Sequence, residues 1–251
     1  MKTTLLFVGL WFCLIAYVQA EPVNFEKTFS SPETRVSIVE LYTSEGCSSC
    51  PPAENWLNMF KDDKRLWKEF IPLAFHVDYW NYIGWPDRFA SPDFSNRQRR
   101  YATENNLSTV YTPGVLLNGR EWRAWYYKRP LALDRSNNVG KLSIKVKDDQ
   151  VSAEYVSDRT EGDAFLNVAI LGFDLETEVQ AGENRGKKLQ HNFVVIGYKR
   201  TPMIKSTEGF SLSLKLPKTS ETAPKTGIAA WIDNGSTLTP LQATGGWLAS
   251  N

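Results

Sequence analysis

The sequence predicts an α/β half followed by an all-β, sandwich-like half, with the change near residue 137. Two observations carry this. Two nearly continuous apolar, β-rich runs at 36–42 and 70–79 alternate with stretches of helical apolar spacing, the pattern of a sheet covered by helices. After Arg135-Ser136-Asn137-Asn138 the helical period disappears. Short alternating runs bounded by turn residues replace it, as in an antiparallel sandwich. A leader precedes both halves, so the expected division is signal peptide 1–20, α/β domain 21–137 and sandwich-like domain 138–251.

Taken in order, Lys2, the apolar run 5–18 and Val18-Gln19-Ala20 form a secretory leader with a small-residue cleavage pattern. The mature chain is then expected to begin at Glu21, in the periplasm or outside the cell. The apolar run is too short for a membrane span, and no cysteine follows the cleavage point to carry a lipid. The run 36–42 reads as a strand. Residues 52–60 read as a helix with Trp56, Leu57 and Phe60 on one face, and 70–79 as a second strand. Ser91-Pro92-Asp93 caps a helix reaching about Asn105. Residues 115–122 form a strand pair broken by Asn118-Gly119, a hairpin signal. In the second half Leu142, Ile144 and Val146 alternate, Asp148-Asp149-Gln150 turns the chain, and Val151, Ala153 and Tyr155 return. Strand-like runs follow at 165–173, 193–198, 210–216 and 228–232.

Composition sets limits without naming a chemistry. Apolar residues at 42% and aromatics at 13% suffice for ordinary cores. The chain has 29 basic and 28 acidic residues; once Lys2 leaves with the leader, the two balance. Such a chain has no electrostatic reason to bind nucleic acid or an anionic membrane.

The chemistry concentrates in Gly46-Cys47-Ser48-Ser49-Cys50-Pro51-Pro52. A thiol at a helix N-terminus faces unpaired backbone N–H groups and the positive end of the helix dipole, which favour the thiolate that performs disulfide exchange. The chain has 3 cysteines, and Cys13 belongs to the leader. The remaining pair encloses a minimal loop, too small for the stabilisation that long-loop disulfides bring. A working dithiol is expected, with Cys47 exposed and attacking, Cys50 resolving, and no cofactor beyond the pair itself. An inert bridge is the plainer reading. His76, one of 2 histidines, shares a strand face with Asp78. The two could order the site or relay protons, or His76 could be a core group. Trp80, Tyr82, Trp85 and Phe89 could wall a peptide site or pack their own loop. Arg97, Arg99 and Arg100 read as a solvated helix face. The polar segment 181–186 and His191-Asn192 read as a hairpin connection.

The first half resembles a thioredoxin fold in three placements: the Cys-x-x-Cys between strand and helix, Tyr111-Thr112-Pro113-Gly114 before the final hairpin, and the β-α segment between them. The resemblance implies that Pro113 is a cis-proline against the disulfide and that Thr112 offers its backbone to substrate. It also places Glu40 as a buried carboxylate behind Cys50, able to act as its base or to make a structural hydrogen bond. A closer resemblance covers most of the mature chain. Residues 40–53 (ELYTSEGCSSCPPA), Phe75-His76-Val77-Asp78-Tyr79-Trp80 with Gly84-Trp85, Arg97-Gln98 with Tyr101-Ala102, and Tyr111-Thr112-Pro113 resemble the secreted thioredoxin-like family known as domain of unknown function 1223. That resemblance implies an exported protein and brings no substrate.

Three functions remain open on sequence. The first is thiol–disulfide exchange on an exported protein or small disulfide, with an unidentified redox partner. The second is soft-metal (copper) handling by the cysteine pair with His76 as a third ligand. The third is a binding module in which the dithiol is idle.

Overall fold

The computed structural model describes residues 25–105, 107–157 and 162–250; the expected leader, with Cys13, lies outside them. The strands are β1 (Glu26–Ser30), β2 (Ser37–Thr43), β3 (Phe70–His76), β4 (Gly114–Leu117), β5 (Arg120–Glu121), β6 (Lys141–Lys147), β7 (Gln150–Val156), β8 (Phe165–Phe173), β9 (Leu175–Glu178), β10 (Lys188–His191), β11 (Val194–Pro202), β12 (Ile204–Ser206), β13 (Gly209–Lys215), β14 (Lys225–Asp233) and β15 (Gln242–Ser250). The helices are α1 (Pro51–Asn58) and α2 (Pro92–Glu104), with 3-10 turns at Met59–Asp62, Asp78–Ile83 and Arg123–Tyr127. No helix among the described residues is long and apolar enough to cross a membrane.

Local chemistry explains the elements that flank the site. α1 starts with Pro51-Pro52, where a missing N–H costs no intrahelical bond. α2 is capped by Ser91, whose hydroxyl accepts the Asp93 N–H at 3.3 Å. Asn118 and Gly119 both adopt positive φ, 50° and 79°, which the tight turn between β4 and β5 requires. β2 and β3 are buried at every position.

The expected α/β thioredoxin-like domain followed by a separate all-β domain is not what forms. Strand accounts for 44% of the chain and helix for 16%, too little helix to cover the faces of the sheets. Instead one mixed eight-stranded sheet runs β15-β14-β8-β11-β3-β2-β4-β5, and a five-stranded antiparallel sheet runs β1-β6-β7-β13-β12. The large sheet takes strands from both halves: β3 pairs in parallel with β2 on one edge and with β11 on the other. β1 leaves the first half to pair with β6.

The physical reason lies in β8 and β14. Their alternate residues feed two cores. Leu166, Val168, Ile170, Ile228 and Ala230 pack with Leu142, Ile144 and Val151 of the smaller sheet. Ala169, Leu171, Phe173, Ala229 and Trp231 pack with Leu41, Phe75 and Tyr101 of the first half. Strands apolar on both faces cannot end a self-contained sandwich, and here they continue the first half's sheet. Apolar runs reveal this two-sidedness but not which edge a strand will join.

This shared sheet predicts that the halves are not separable. A fragment spanning 25–137 should show no cooperative urea transition, because it would expose the edge of β3 and the ring of Phe75, which packs on Tyr198 of the second half. A cooperative transition of that fragment alone would contradict the shared-core account.

Candidate functional site

The Cys-x-x-Cys occupies the turn from β2 into α1. Cys47 and Cys50 form a disulfide with 5.4 Å between Cα atoms, and Cys50 is the N-cap residue of α1. The turn is held by Cys47 N–H to Ser44 O at 3.1 Å and Cys50 N–H to Cys47 O at 3.2 Å. Ser48 and Ser49 are exposed, yet both cysteines are 0% exposed. The expected exposure of Cys47 is therefore not met.

Part of the cover comes from the segment 181–186. Asn184, fully buried, donates to Glu45 O at 2.8 Å and to Cys47 O at 2.9 Å. Glu183 accepts the Ser48 N–H at 3.1 Å, and the Ser48 side chain together with this N–H lowers its carboxyl pKa. A segment that sequence reasoning read only as a connection thus binds the cysteine turn at three points.

On the other side of the turn lies an open cavity of about 490 Å³ lined by Ser49, Tyr111, Pro113, Arg123, Trp125, Tyr126 and Tyr127. The Thr112–Pro113 peptide is cis. Tyr126 and Tyr127 are each 72% exposed, while Tyr111 and Arg123 are tied to Glu121. These aromatics sit in the 3-10 turn after β5 and were missed in the sequence. The available signal was aromatic density without an apolar period in Trp122-Arg123-Ala124-Trp125-Tyr126-Tyr127.

Trp80 and Trp85, the expected wall, are half-buried and point their indoles inward. Trp80 Nε1 donates to Thr112 Oγ1 at 2.7 Å, and Trp85 Nε1 donates to Glu45 Oε2 at 2.8 Å. A Cβ on Gly46 would lie 3.3 Å from Trp80 Cβ, so Trp80 wedges between the cysteine turn and the bend carrying Thr112. Tyr82 is 84% exposed and does not line the cavity.

Glu40 is committed elsewhere than to Cys50. Its carboxylate accepts from Arg97 Nε at 2.9 Å, Tyr42 OH at 2.9 Å and Tyr101 OH at 2.6 Å. Arg97, read from sequence as solvated, is buried among the rings of Phe75, Tyr101, Tyr198 and Trp231, each 5.2–5.4 Å from its guanidinium carbon. Burial would lower its pKa, and the Glu40 charge overrides that and raises it. The pair stitches α2 to β2.

His76 and Asp78 do not act together. Asp78 accepts from the Ser95 hydroxyl of α2. His76 Nδ1 lies 2.7 Å from Asp87 Oδ2, and Asp87 Oδ2 also accepts the Glu45 N–H at 2.9 Å. Beside it is His191, with Nδ1 2.5 Å from Glu54 Oε2 and Nε2 3.3 Å from Glu45 Oε1. Burial opposes charge on both imidazoles. The Glu54 and Glu45 carboxylates override it and raise His191 to about 10; Asp87 raises His76 in the same way. Glu54 and Asp87 are lowered reciprocally against their burial, chiefly by His191 and His76 respectively. The structure thus places a buried charge network directly behind the cysteine turn, since Glu45 precedes Cys47 and Glu54 follows Cys50.

Comparison with known proteins gives a family and a fold. The profile described as "Protein of unknown function (DUF1223)" matches residues 38–233, and the chain belongs to this family. No curated protein matches the chain. Among solved structures, one similar chain is an Agrobacterium tumefaciens protein, 25% identical, covering 88% of this chain and 97% of that chain with a TM-score of 0.59. Another is HBP35 of Porphyromonas gingivalis, 12% identical, covering 87% of this chain and 76% of that chain with a TM-score of 0.57. The latter likeness bears on the fold alone.

The partners of Glu40 predict a structural role. Glu40→Ala strands a buried guanidinium, which costs about 3–5 kcal/mol, measurable by guanidinium chloride unfolding. The rate at which a small thiol reduces Cys47–Cys50 in the native state should stay unchanged. A slowed reduction with stability intact would restore Glu40 as a base for Cys50.

Proposed function

We propose that this family member is an exported thiol–disulfide oxidoreductase. Its couple is Cys47–Cys50, and its substrate is a thiol or disulfide on an extended chain lying in the aromatic cavity. In the direction of disulfide donation, a substrate thiolate attacks Cys47 Sγ. The Cys47–Cys50 bond breaks, and Cys50 leaves as the thiolate. A second substrate thiolate then displaces Cys47. The substrate is oxidised by two electrons to a disulfide, the protein pair is reduced, and two protons go to solvent or to the cysteines. In the opposite direction each step reverses.

One observation carries the reading: Ser49, between the two cysteines, lines the same open cavity as Pro113 and the Trp125–Tyr127 aromatics. A disulfide that only stabilised the fold would need no aromatic groove beside it, whereas flat rings exposed next to a nucleophilic turn suit an extended partner. The leader sequence supports an oxidising destination, where such a pair is maintained. The strand, Cys-x-x-Cys and helix, with Pro113 on the same cavity, support a local tie of this corner to thioredoxin-like proteins; the sheet around it is a different one.

Burial of both sulfurs sets a condition on the chemistry. For an attacking sulfur to reach Cys47, the cover must yield, and the segment 181–186 is the part held by polar contacts. Its bonds through Asn184 and Glu183 make access an opening equilibrium.

The test is turnover of a dithiol peptide carrying an aromatic residue, followed by mass shift. Cys47→Ser should abolish turnover, and Trp125→Ala should raise KM with little effect on kcat. Asn184→Ala removes two buried hydrogen bonds of about 0.5–1.5 kcal/mol each. It should speed native-state reduction of the disulfide about tenfold, the factor for 1.4 kcal/mol. Wild-type turnover no faster than Cys47→Ser would overturn the reading.

A further inference from the structure

The chain's 2 histidines meet behind the cysteine turn, His76 at the end of β3 and His191 at the end of β10, with ring centroids 5.4 Å apart. With Glu54 of α1 they bring one ligand-capable atom each to within 4.8 Å of the others, and all three residues are buried. We propose that Glu54, His76 and His191 form a buried structural site for a divalent metal ion of zinc type. Nothing in this inference depends on the cysteines being redox-active.

The first support is unsatisfied chemistry. His76 Nε2 is a buried side-chain atom with no hydrogen-bond partner among the described residues, while His191 Nε2 and Glu45 Oε1 face each other at 3.3 Å without an aligned hydrogen bond. An unpaired buried atom such as His76 Nε2 costs about 1–3 kcal/mol and calls for a partner. Water is a poor candidate: the pocket bounded by Glu54, Leu57, His76, His191 and Val194 has no space for a water molecule. A metal ion is smaller, and its ligands close to about 2.0–2.2 Å.

The second support is the outer layer. Ligating imidazoles are commonly oriented by a carboxylate on the other ring nitrogen. Asp87 holds His76 Nδ1 at 2.7 Å, which leaves Nε2 as the donor. Thr43 Oγ1 donates to Glu54 Oε1 at 2.5 Å, leaving Oε2 on the His191 side. Glu45 Oε1 stands 3.3 Å from His191 Nε2. Three carboxylates converge here, and their hydrogen bonds come from Thr43, Trp85, the two histidines and backbone N–H groups.

Two nitrogens and a carboxylate suit zinc and its neighbours rather than calcium or magnesium, which take oxygen, or Cu(I), which prefers sulfur. With no room for a substrate water, the ion would hold structure. It would clamp α1, which starts at the disulfide, to the second-half strand whose preceding segment covers that disulfide.

The experiment uses the full mature chain, stripped with chelator and free of a histidine tag. After equilibration with Zn²⁺ and gel filtration, elemental analysis should find about one equivalent per chain. The same content should appear in the Cys47→Ser/Cys50→Ser double variant and be lost in His76→Gln. The apparent Tm should rise with Zn²⁺ for the first two proteins and not for the third. Should His76→Gln not fold, Co²⁺ titration of the wild-type protein decides: intense visible bands of low-coordinate cobalt support the site. No stoichiometric metal and no cobalt bands would overturn it, leaving a network held by protons alone. Metal that disappears with the cysteines would overturn it as well.

Discussion

The joining of the two halves into one sheet follows from the need to fill the free edge of β3. The strand is buried along its length, so each backbone N–H and C=O needs a partner. One edge belongs to β2 throughout. The other is filled piecewise: by the turn at Leu66 and Trp67 near Phe70, by β11 where Ala74 N–H meets Phe193 O at 2.8 Å, and by Ser91, whose N–H reaches His76 O at 3.1 Å. The middle piece comes from the second half of the chain, and this fuses two sets of strands into one sheet. It also fixes the site. β11 enters opposite Ala74, so His191, just before it, lands beside His76.

The candidate site is therefore made by both halves. The cysteine turn and α1 come from the first; Glu183, Asn184 and His191 come from the second. The buried ionic groups sit on two sides of the sheet's first-half strands with different tasks. Glu40 and Arg97 tie α2 to β2, while Glu45, Glu54, Asp87 and the histidines back the cysteine turn. Buried charges cost stability unless paired, and here nearly every one is matched by a named partner. The covered disulfide beside an open aromatic cavity is consistent with a couple that reacts only when its cover opens.

Much of the local structure was legible because its causes are local. Ser91-Pro92 announces a helix start, Asn118-Gly119 a hairpin, and a Cys-x-x-Cys before two prolines a strand-to-helix junction. Long-range pairings were not legible. Nothing around Glu40 signals that its cation is Arg97, 57 positions away, nor that His76 would pair with Asp87 rather than Asp78. Trp80 and Trp85 were read as a wall because aromatics near a cysteine motif suggest one. Their N–H groups instead found Thr112 and Glu45, and the wall fell to a 3-10 turn that has no apolar period to betray it. The fold class failed for the same reason: periodicity shows that β8 and β14 are buried on both faces, not what buries them.

The most direct test of a working couple is whether Cys47–Cys50 exchanges while the protein stays folded. The mature chain would be equilibrated with glutathione buffers of graded redox poise, its thiols trapped by alkylation and counted by mass, and its near-ultraviolet circular dichroism recorded alongside. A working couple predicts reversible two-electron conversion with the aromatic signal retained, and a trapped glutathione adduct on Cys47 when Cys50 is serine. A disulfide that opens only as the aromatic signal collapses would mark a structural bridge and contradict the account.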